Sequence, residues 1–175
     1  MTAAADPAEA VFAELERIAE IAAAILDGDE IGAIITEKAM HYISDPDPQF
    51  RFLSGDYFDV DHEAFLRARK LLMRLERLGK VRISSSLWLP VPDAAAVTVA
   101  VQTGPHHRYY RFGQDKADTP PEMRKVFEAG QVRRAPADDG DRLATVLAPV
   151  RDSLGDVAAI VELTAPLTGP PPAWS

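Results

Sequence analysis

The chain has 175 residues, of which 27 are acidic and 19 are basic, so its formal net charge is −8. That excess of negative charge disfavours nucleic acid and anionic membrane as partners, because both require basic surface. The absence of cysteine excludes disulfides, thiol catalysis and cysteine–zinc sites. The length and the hydrophobic fraction of 47% are those of one globular domain.

A long helix is predicted over residues 7–42, with a kink near Gly28. Asp6 can cap it, and Glu9 completes a capping box. Its apolar residues form one stripe at spacings of three and four: Val11, Leu15, Ile18, Ala22 and Ile25. The stripe can pack on a sheet of the same chain or on the same helix of a second chain. We expect packing on the sheet together with a share in a homodimer contact.

A second helix is predicted over residues 62–78. One side of it is apolar, and the other is basic, with Arg67, Arg69, Lys70, Arg74 and Arg77. A basic helical face can contact an acidic partner or a nucleic acid, but it is usually a solvated surface. The prediction for this side of the helix is therefore a solvated face.

The first strand is predicted over residues 81–91, and one of its faces combines Ser84 and Ser86 with Trp88. Small hydroxyl donors beside a large aromatic plane suit the wall of a ligand pocket. The same residues also suit an ordinary solvated sheet face with one anchoring tryptophan. Both interpretations stay open at this point.

Two more strands are predicted over residues 96–103 and 106–112. On the second of these, Arg108, Tyr110 and Phe112 share one face. An arginine beside two aromatic rings can hold a carboxylate-bearing ligand. The alternative is a cross-strand ladder at a sheet edge.

The last third of the chain predicts a helix and a hairpin. Residues 119–122 form a second capping box, and the helix that they open closes at Gly130. Two apolar runs, 142–151 and 157–164, follow as strands joined by an acidic turn that contains Gly155. The two strands should pair directly, and residues 167–175 form a proline-rich tail or linker.

Three segments of this sequence resemble the Cache family of PAS-like sensor domains. They are the hairpin LAPVRDSLGDV at 147–157, the segment TPPEM at 119–123, and the long first helix leading through the 62–78 helix into a strand. The resemblance implies a ligand on the sheet face opposite the long helix. Two features differ from the family: its members are mostly flanked by membrane helices, whereas no spanning segment is evident here, and Ser86 stands where the amino-acid-binding branch has an arginine.

The expected fold is therefore α+β: one Cache-like or PAS-like domain, residues 1–166, with an antiparallel sheet of about five strands and the long helix on one face. The expected function is a small-molecule sensor that regulates an attached or partner effector. The alternative is a ligand-free dimerisation or signal-relay module of the same fold. The candidate ligand-binding residues are Ser86, Trp88, Arg108, Tyr110 and Thr145.

This set of side chains favours an anionic or zwitterionic organic ligand. The sequence carries no catalytic motif, so no enzyme is expected, and it indicates no metal or cofactor site. It shows no signal peptide and no apolar run of membrane-spanning length, which predicts a cytoplasmic protein. The prediction changes to an extracytoplasmic one if the chain is an excised part of a membrane receptor.

Overall fold

The computed structural model describes residues 6–45, 59–111, 114–136 and 142–167. These residues contain the helices α1 (Pro7–Ile25), α2 (Gly28–Gly32), α3 (Glu37–Ser44), α4 (His62–Glu76) and α5 (Pro121–Ala129). They also contain the strands β1 (Ser84–Pro90), β2 (Ala96–Thr103), β3 (Ala117–Asp118), β4 (Arg133–Arg134), β5 (Leu143–Arg151) and β6 (Val157–Pro166). No helix among them is long and apolar enough to span a bilayer.

The strands form one antiparallel sheet in the order β3-β2-β1-β6-β5-β4. The predicted pairing of the last two long strands is confirmed, with Thr145 opposite Thr164 and Leu147 opposite Glu162. Gly155 in the turn between them has a φ of 90°, which glycine adopts without strain. The sheet has six strands in the described residues rather than about five, because β3 and β4 are two-residue edge strands.

The predicted strand over residues 106–112 is wrong for residues 106–111, and Phe112 lies outside the described residues. Residues 106–111 are irregular, and the third strand comes later, at Ala117–Asp118. Arg108 and Tyr110 therefore do not lie on a strand. They lie on a segment that follows Gly104 and passes over one face of the sheet.

The helices divide between the two faces of the sheet. Helices α1 to α4 share one buried cluster with the sheet, and this cluster includes Ile18 of α1 and Ala144 and Ala148 of β5. Helix α5 covers the other face with Met123 and Val126. This confirms the expected arrangement of the first helix on one face and the 119–130 segment near the other.

The predicted helix 7–42 is three separate helices. Asp27 caps α2 by accepting hydrogen bonds from the backbone N–H groups of Asp29 and Glu30, at 2.9 and 3.2 Å. Thr36 caps α3 by accepting from Ala39 N–H at 3.3 Å. The cap at Asp27 begins a new helix where a kink was expected, whereas the cap at Thr36 begins one within a stretch predicted as continuous helix.

The two predicted capping boxes do not form. Asp6 accepts from Ala8 N–H at 3.0 Å as a cap does, but Glu9 instead pairs with Arg134 at 2.7 Å. The N-cap of α5 is Pro120, with no side-chain capping bond. At the other end of α5 the prediction is confirmed, because Gly130 is left-handed with φ 61° and ψ 34°.

The apolar stripe of α1 packs on the sheet of its own chain. Leu15, Ile18 and Ala22 are fully buried in this way, while Ile25 is half exposed. The middle of the stripe is therefore occupied within one protomer. The homodimer itself stays a prediction.

Candidate functional site

The sheet face opposite α1 carries an unusual buried band of polar side chains. In-register rows across three strands place Ser84 beside Thr164 and Thr145, and Ser86 beside Glu162 and Leu147. All the polar members of these rows are at most 1% exposed: Ser84, Ser86, Thr145, Glu162 and Thr164. We call this side of β1, β5 and β6 the covered face.

Glu162 is the centre of the covered face. Its carboxylate accepts hydrogen bonds from Trp88 Nε1–H at 2.7 Å, from the backbone N–H of Arg108 at 3.3 Å and from Thr164 Oγ1–H at 3.4 Å. Burial raises the pKa of Glu162, and these hydrogen bonds oppose the rise in part. Glu162 is not among the site residues predicted from the sequence, although it is the one carboxylate inside the apolar run 157–164.

We call residues 106–111 the cover segment. Three successive residues of this segment form hydrogen bonds to the covered face. His106 N–H donates to Ser84 Oγ at 3.0 Å, Ser86 Oγ bonds His107 Nδ1 at 3.0 Å, and Arg108 N–H donates to Glu162. Gly104 begins the approach with a φ of 77°. A Cβ at Gly104 would lie 2.4 Å from Ser84 Oγ, so only glycine allows this contact.

The hydrogen bonds of His107 define its tautomer. Nε2 lies 2.9 Å from the carbonyl oxygen of Gly104 and must donate to it, because a carbonyl only accepts. In the neutral ring Nδ1 then accepts from the Ser86 hydroxyl. Burial lowers the pKa of His107, which favours this neutral form.

Aromatic side chains fill the space between the cover segment and the sheet. The ring of Tyr110 meets His107 edge-on, with centroids 6.2 Å apart. The guanidinium of Arg108 lies 5.5 Å from the ring centroid of Tyr109, and burial raises the pKa of Tyr109 to about 12. Both tyrosines pack against an apolar cluster that includes Trp88 and Met123.

The structure brings some of the predicted site residues together. Ser86, Trp88 and Thr145 lie on the covered face as expected, and Thr145 Oγ1 is 3.4 Å from Thr164 Oγ1. Arg108 and Tyr110 reach the same region from the cover segment. The cavity beside Trp88 and the two tyrosines measures about 10 Å³, room for about one water molecule.

A ligand-sized space lies on the other side of the sheet. This cleft of about 700 Å³ runs between α3 and the turn that joins β1 to β2. Its lining includes the apolar residues Ile35, Met40 and Leu89, with Glu37 and Asp93 among its carboxylates. None of the five predicted site residues lines it.

No protein-family model matches the sequence. No curated protein is significantly similar to it either. Several solved structures are similar at low identity. The GAF domain of A. Aeolicus nlh2 in an inactive state is 16% identical over 87% of this chain and 83% of that chain, with a TM-score of 0.40.

A GAF domain/HD domain protein from Geobacter sulfurreducens is 15% identical, over 65% of this chain and 80% of its own, with a TM-score of 0.44. A third structure is the inducer-binding domain of the transcription factor PobR from Acinetobacter, a double mutant in complex with 3-hydroxybenzoic acid. It is 12% identical over 63% of this chain and 87% of that chain, with a TM-score of 0.36. Similarities at this level do not establish a function for this chain. None of the three is a Cache domain, so the Cache resemblance stays a prediction.

Proposed function

We propose that this chain is a ligand-binding sensor domain that takes up a small organic molecule between the covered face and the cover segment. In this proposal it regulates an attached or partner effector. One observation supports the proposal above all. His106, His107 and Arg108 each form a hydrogen bond to a buried polar side chain of the sheet. A buried polar layer is costly compared with an apolar one unless every group is satisfied, and a polar ligand would use the same groups.

Ligand entry requires the cover segment to move, since a cavity of about 10 Å³ holds no organic molecule. The movement breaks three hydrogen bonds to the sheet. At a net contribution of about 0.5–1.5 kcal/mol each, the three together hold the segment by roughly 2–4 kcal/mol. An opening of that cost is within the range of local fluctuations in a native protein.

A zwitterionic ligand fits the groups on this face better than a purely anionic one. Glu162 supplies a carboxylate for an ammonium group. The guanidinium of Arg108 and the side-chain amide of Gln102 can both donate hydrogen bonds to the ligand's carboxylate. Gln102 lies opposite Ser86 in the sheet. The Gln102 Nε2 atom is buried and has no hydrogen-bond partner within the part of the chain that the structure describes. Trp88 offers an apolar plane for the body of the ligand.

The position of Glu162 suggests how the signal leaves the domain. Glu162 binds the cover segment and lies on β6, whose last residue is Pro166. The predicted linker, residues 167–175, continues from that strand. A displacement of the cover segment would therefore act on the strand that leads into this linker.

The test is a thermal-shift screen of amino acids and of the matching deaminated carboxylates. We expect an amino acid to raise the melting temperature of the parent. Loss of a charge-assisted hydrogen bond of roughly 1.5–3 kcal/mol should weaken its binding about tenfold or more in Arg108→Ala. Glu162→Gln should reduce the preference for the amino acid over the deaminated carboxylate.

Arg124→Ala is the matched control, because Arg124 is an exposed cation on α5 and its loss should leave binding unchanged. A compound that stabilises the parent, Arg108→Ala and Glu162→Gln equally would contradict this site. The next space to examine would then be the cleft beside α3.

A ligand-free relay module is the second candidate, and the filled space beside Trp88 favours it. A relay needs no pocket, only a cover segment that changes position with its partner. Hydrogen exchange distinguishes the two. A sensor should slow the exchange of the Arg108 amide when a ligand binds, whereas a relay should show no response to any compound in the screen.

A further inference from the structure

The outward side of α4 concentrates positive charge around two exposed apolar side chains. Leu66 and Met73 are 48% and 41% exposed, and their spacing of seven residues points them in the same direction. Four exposed cations surround them: Arg69, Lys70, Arg74 and Arg77. We call these six residues the basic face.

The four cations of the basic face take part in no ion pair with any residue that the structure describes. The acid between Leu66 and Arg77 is Glu76, and its carboxylate accepts a hydrogen bond from Thr103 Oγ1 on β2. This positive surface stands out on a chain whose net charge is −8.

The turn between β5 and β6 has the opposite character. Leu154, the central residue of this turn, is 85% exposed. Asp152 Oδ1 accepts from the backbone N–H groups of Leu154 and Asp156, both at 2.9 Å, which fixes the turn and leaves the leucine outside. Ser153 N–H donates to Asp29 Oδ2 at 3.0 Å, so the start of α2 joins the same surface. We call the following residues the acidic tip: Asp27, Asp29, Asp152, Leu154 and Asp156.

The guanidinium of Arg151 lies at the base of the acidic tip. It donates to the backbone carbonyls of Gly155 and Gly130, at 2.6 and 3.0 Å. Its charge therefore offsets one of the four carboxylates of the tip. The surface around Leu154 remains negative.

The two surfaces adjoin across α2. Asp29 binds the turn that carries Leu154, while the next residue, Glu30, forms an ion pair with Arg67 of α4. The basic face and the acidic tip are adjoining patches of opposite charge. In a two-fold symmetric dimer whose axis passes close to them, the basic face of each protomer meets the acidic tip of the other. Both contacts of such a pair would be attractive.

We infer that this surface binds a second copy of this chain, with the acidic tip of each protomer on the basic face of the other. Leu154 then covers Leu66 and Met73, and the carboxylates of the tip meet the cations of α4. An anionic membrane or a nucleic acid fits less well, because the acidic tip beside the basic face would repel it. The contact is independent of the α1 stripe and of the proposed ligand site.

Sedimentation measures the dimer directly. The face variant is Lys70→Glu/Arg74→Glu, and the tip variant is Ser153→Lys/Asp156→Lys. Each should weaken dimerisation about tenfold or more, because the substitutions cancel the net charge of one of the two surfaces and so remove the attraction from both contacts. Raising NaCl from about 50 mM to about 500 mM should also weaken the parent dimer about tenfold, since exposed charges are screened.

Mixing the two variants is the sharpest test. In a mixed pair the unchanged tip meets the unchanged basic face, and the lysine-bearing tip meets the glutamate-bearing face. A 1:1 mixture should therefore dimerise more tightly than either variant alone. The control is Arg124→Glu/Lys125→Glu on α5, which should dimerise like the parent, and circular dichroism checks that every variant is folded.

Three results would overturn the inference. One is a parent that stays monomeric at about 1 mM protein in low salt, since a dimer weaker than that has little free energy of association. Another is a pair of folded variants that dimerise as well as the parent, which places the interface elsewhere. The third is parent protein that binds phosphatidylglycerol vesicles or duplex DNA through the basic face instead of a second copy.

Discussion

Trp88 and Glu162 bind each other inside the protein, with the indole Nε1–H donating to the carboxylate Oε2 at 2.7 Å. The two residues are 3% and 1% exposed. Their contact joins β1 to β6 through side chains as well as through the backbone. Because the carboxylate is removed from water, its ionised form is disfavoured and the pKa of Glu162 is raised.

The raised pKa of Glu162 predicts a pH-dependent stability. The folded state holds the proton of Glu162 more tightly than the unfolded state does. This stabilisation is complete below the unfolded pKa and is lost as the pH rises through the folded pKa. Urea denaturation from about pH 5 to about pH 8 should show the parent losing stability relative to Glu162→Gln.

Glu76 needs a control in that experiment, because burial also raises its pKa. Glu76→Gln should keep the part of the pH dependence that comes from Glu162. If the parent and Glu162→Gln changed equally with pH, Glu162 would not be the titrating group.

Replacing Trp88 with phenylalanine should leave the Glu162 carboxylate without its indole donor. We expect the free energy of unfolding to fall by about 1–3 kcal/mol, the typical result of removing one partner from a buried hydrogen bond. The loss should be smaller in a Glu162→Gln background, where the indole has lost its carboxylate partner. A double-mutant cycle measures this coupling, and a coupling near zero would show that the bond contributes little.

The hairpin of β5 and β6 could be predicted from the sequence because it is determined by residues that are close together in the chain. Two apolar runs flank a turn with Gly155, and strands of this kind pair directly. The alternation along β5 places Ala144 and Ala148 on the α1 side, while Trp88 of β1 lies on the other face. Side chains alternate along a strand, so one correct residue fixes the rest.

The cover segment could not be predicted in this way, because its conformation depends on contacts distant in sequence. Its two tyrosines, which have a high β propensity, favour a strand after the turn at Gly104. The turn at Gly104 and the bonds to Ser84, Ser86 and Glu162 hold it across the sheet instead. The short edge strands β3 and β4 likewise have two residues each and depend on pairing with β2 and β5.

Ile18→Glu tests whether the α1 stripe belongs to the core of one protomer. Ile18 is fully buried with Ala144 and Ala148, so the substitution places an unpaired carboxylate in an apolar core. We expect a loss of several kcal/mol and unfolding that does not depend on protein concentration.

Ala13→Glu is the matched control, because Ala13 is exposed on the same helix. It should leave the thermal melt nearly unchanged. If Ile18→Glu stayed folded and only lost a dimer, the stripe would be the interface and the contact inferred at α4 would be wrong.

Gly28→Ala and Gly32→Ala should have opposite effects, although both residues belong to α2. A Cβ at Gly28 would lie 2.5 Å from the backbone carbonyl carbon and oxygen of Arg151 and 2.6 Å from Asp152 N. Backbone atoms cannot give way as a flexible side chain does, so α2 must shift, at a cost of about 1–3 kcal/mol. A Cβ at Gly32 meets no atom within 4 Å, and alanine there should be neutral or stabilising by up to about 1 kcal/mol.

Urea denaturation of the two variants measures the difference. The shift of α2 in Gly28→Ala should also loosen the bond between Asp29 and Ser153 that ties the acidic tip together. That variant should therefore weaken dimerisation in the sedimentation experiment, whereas Gly32→Ala should not. Equal stability of the two variants would mean that α2 does not pack as closely on the end of β5 as the structure places it.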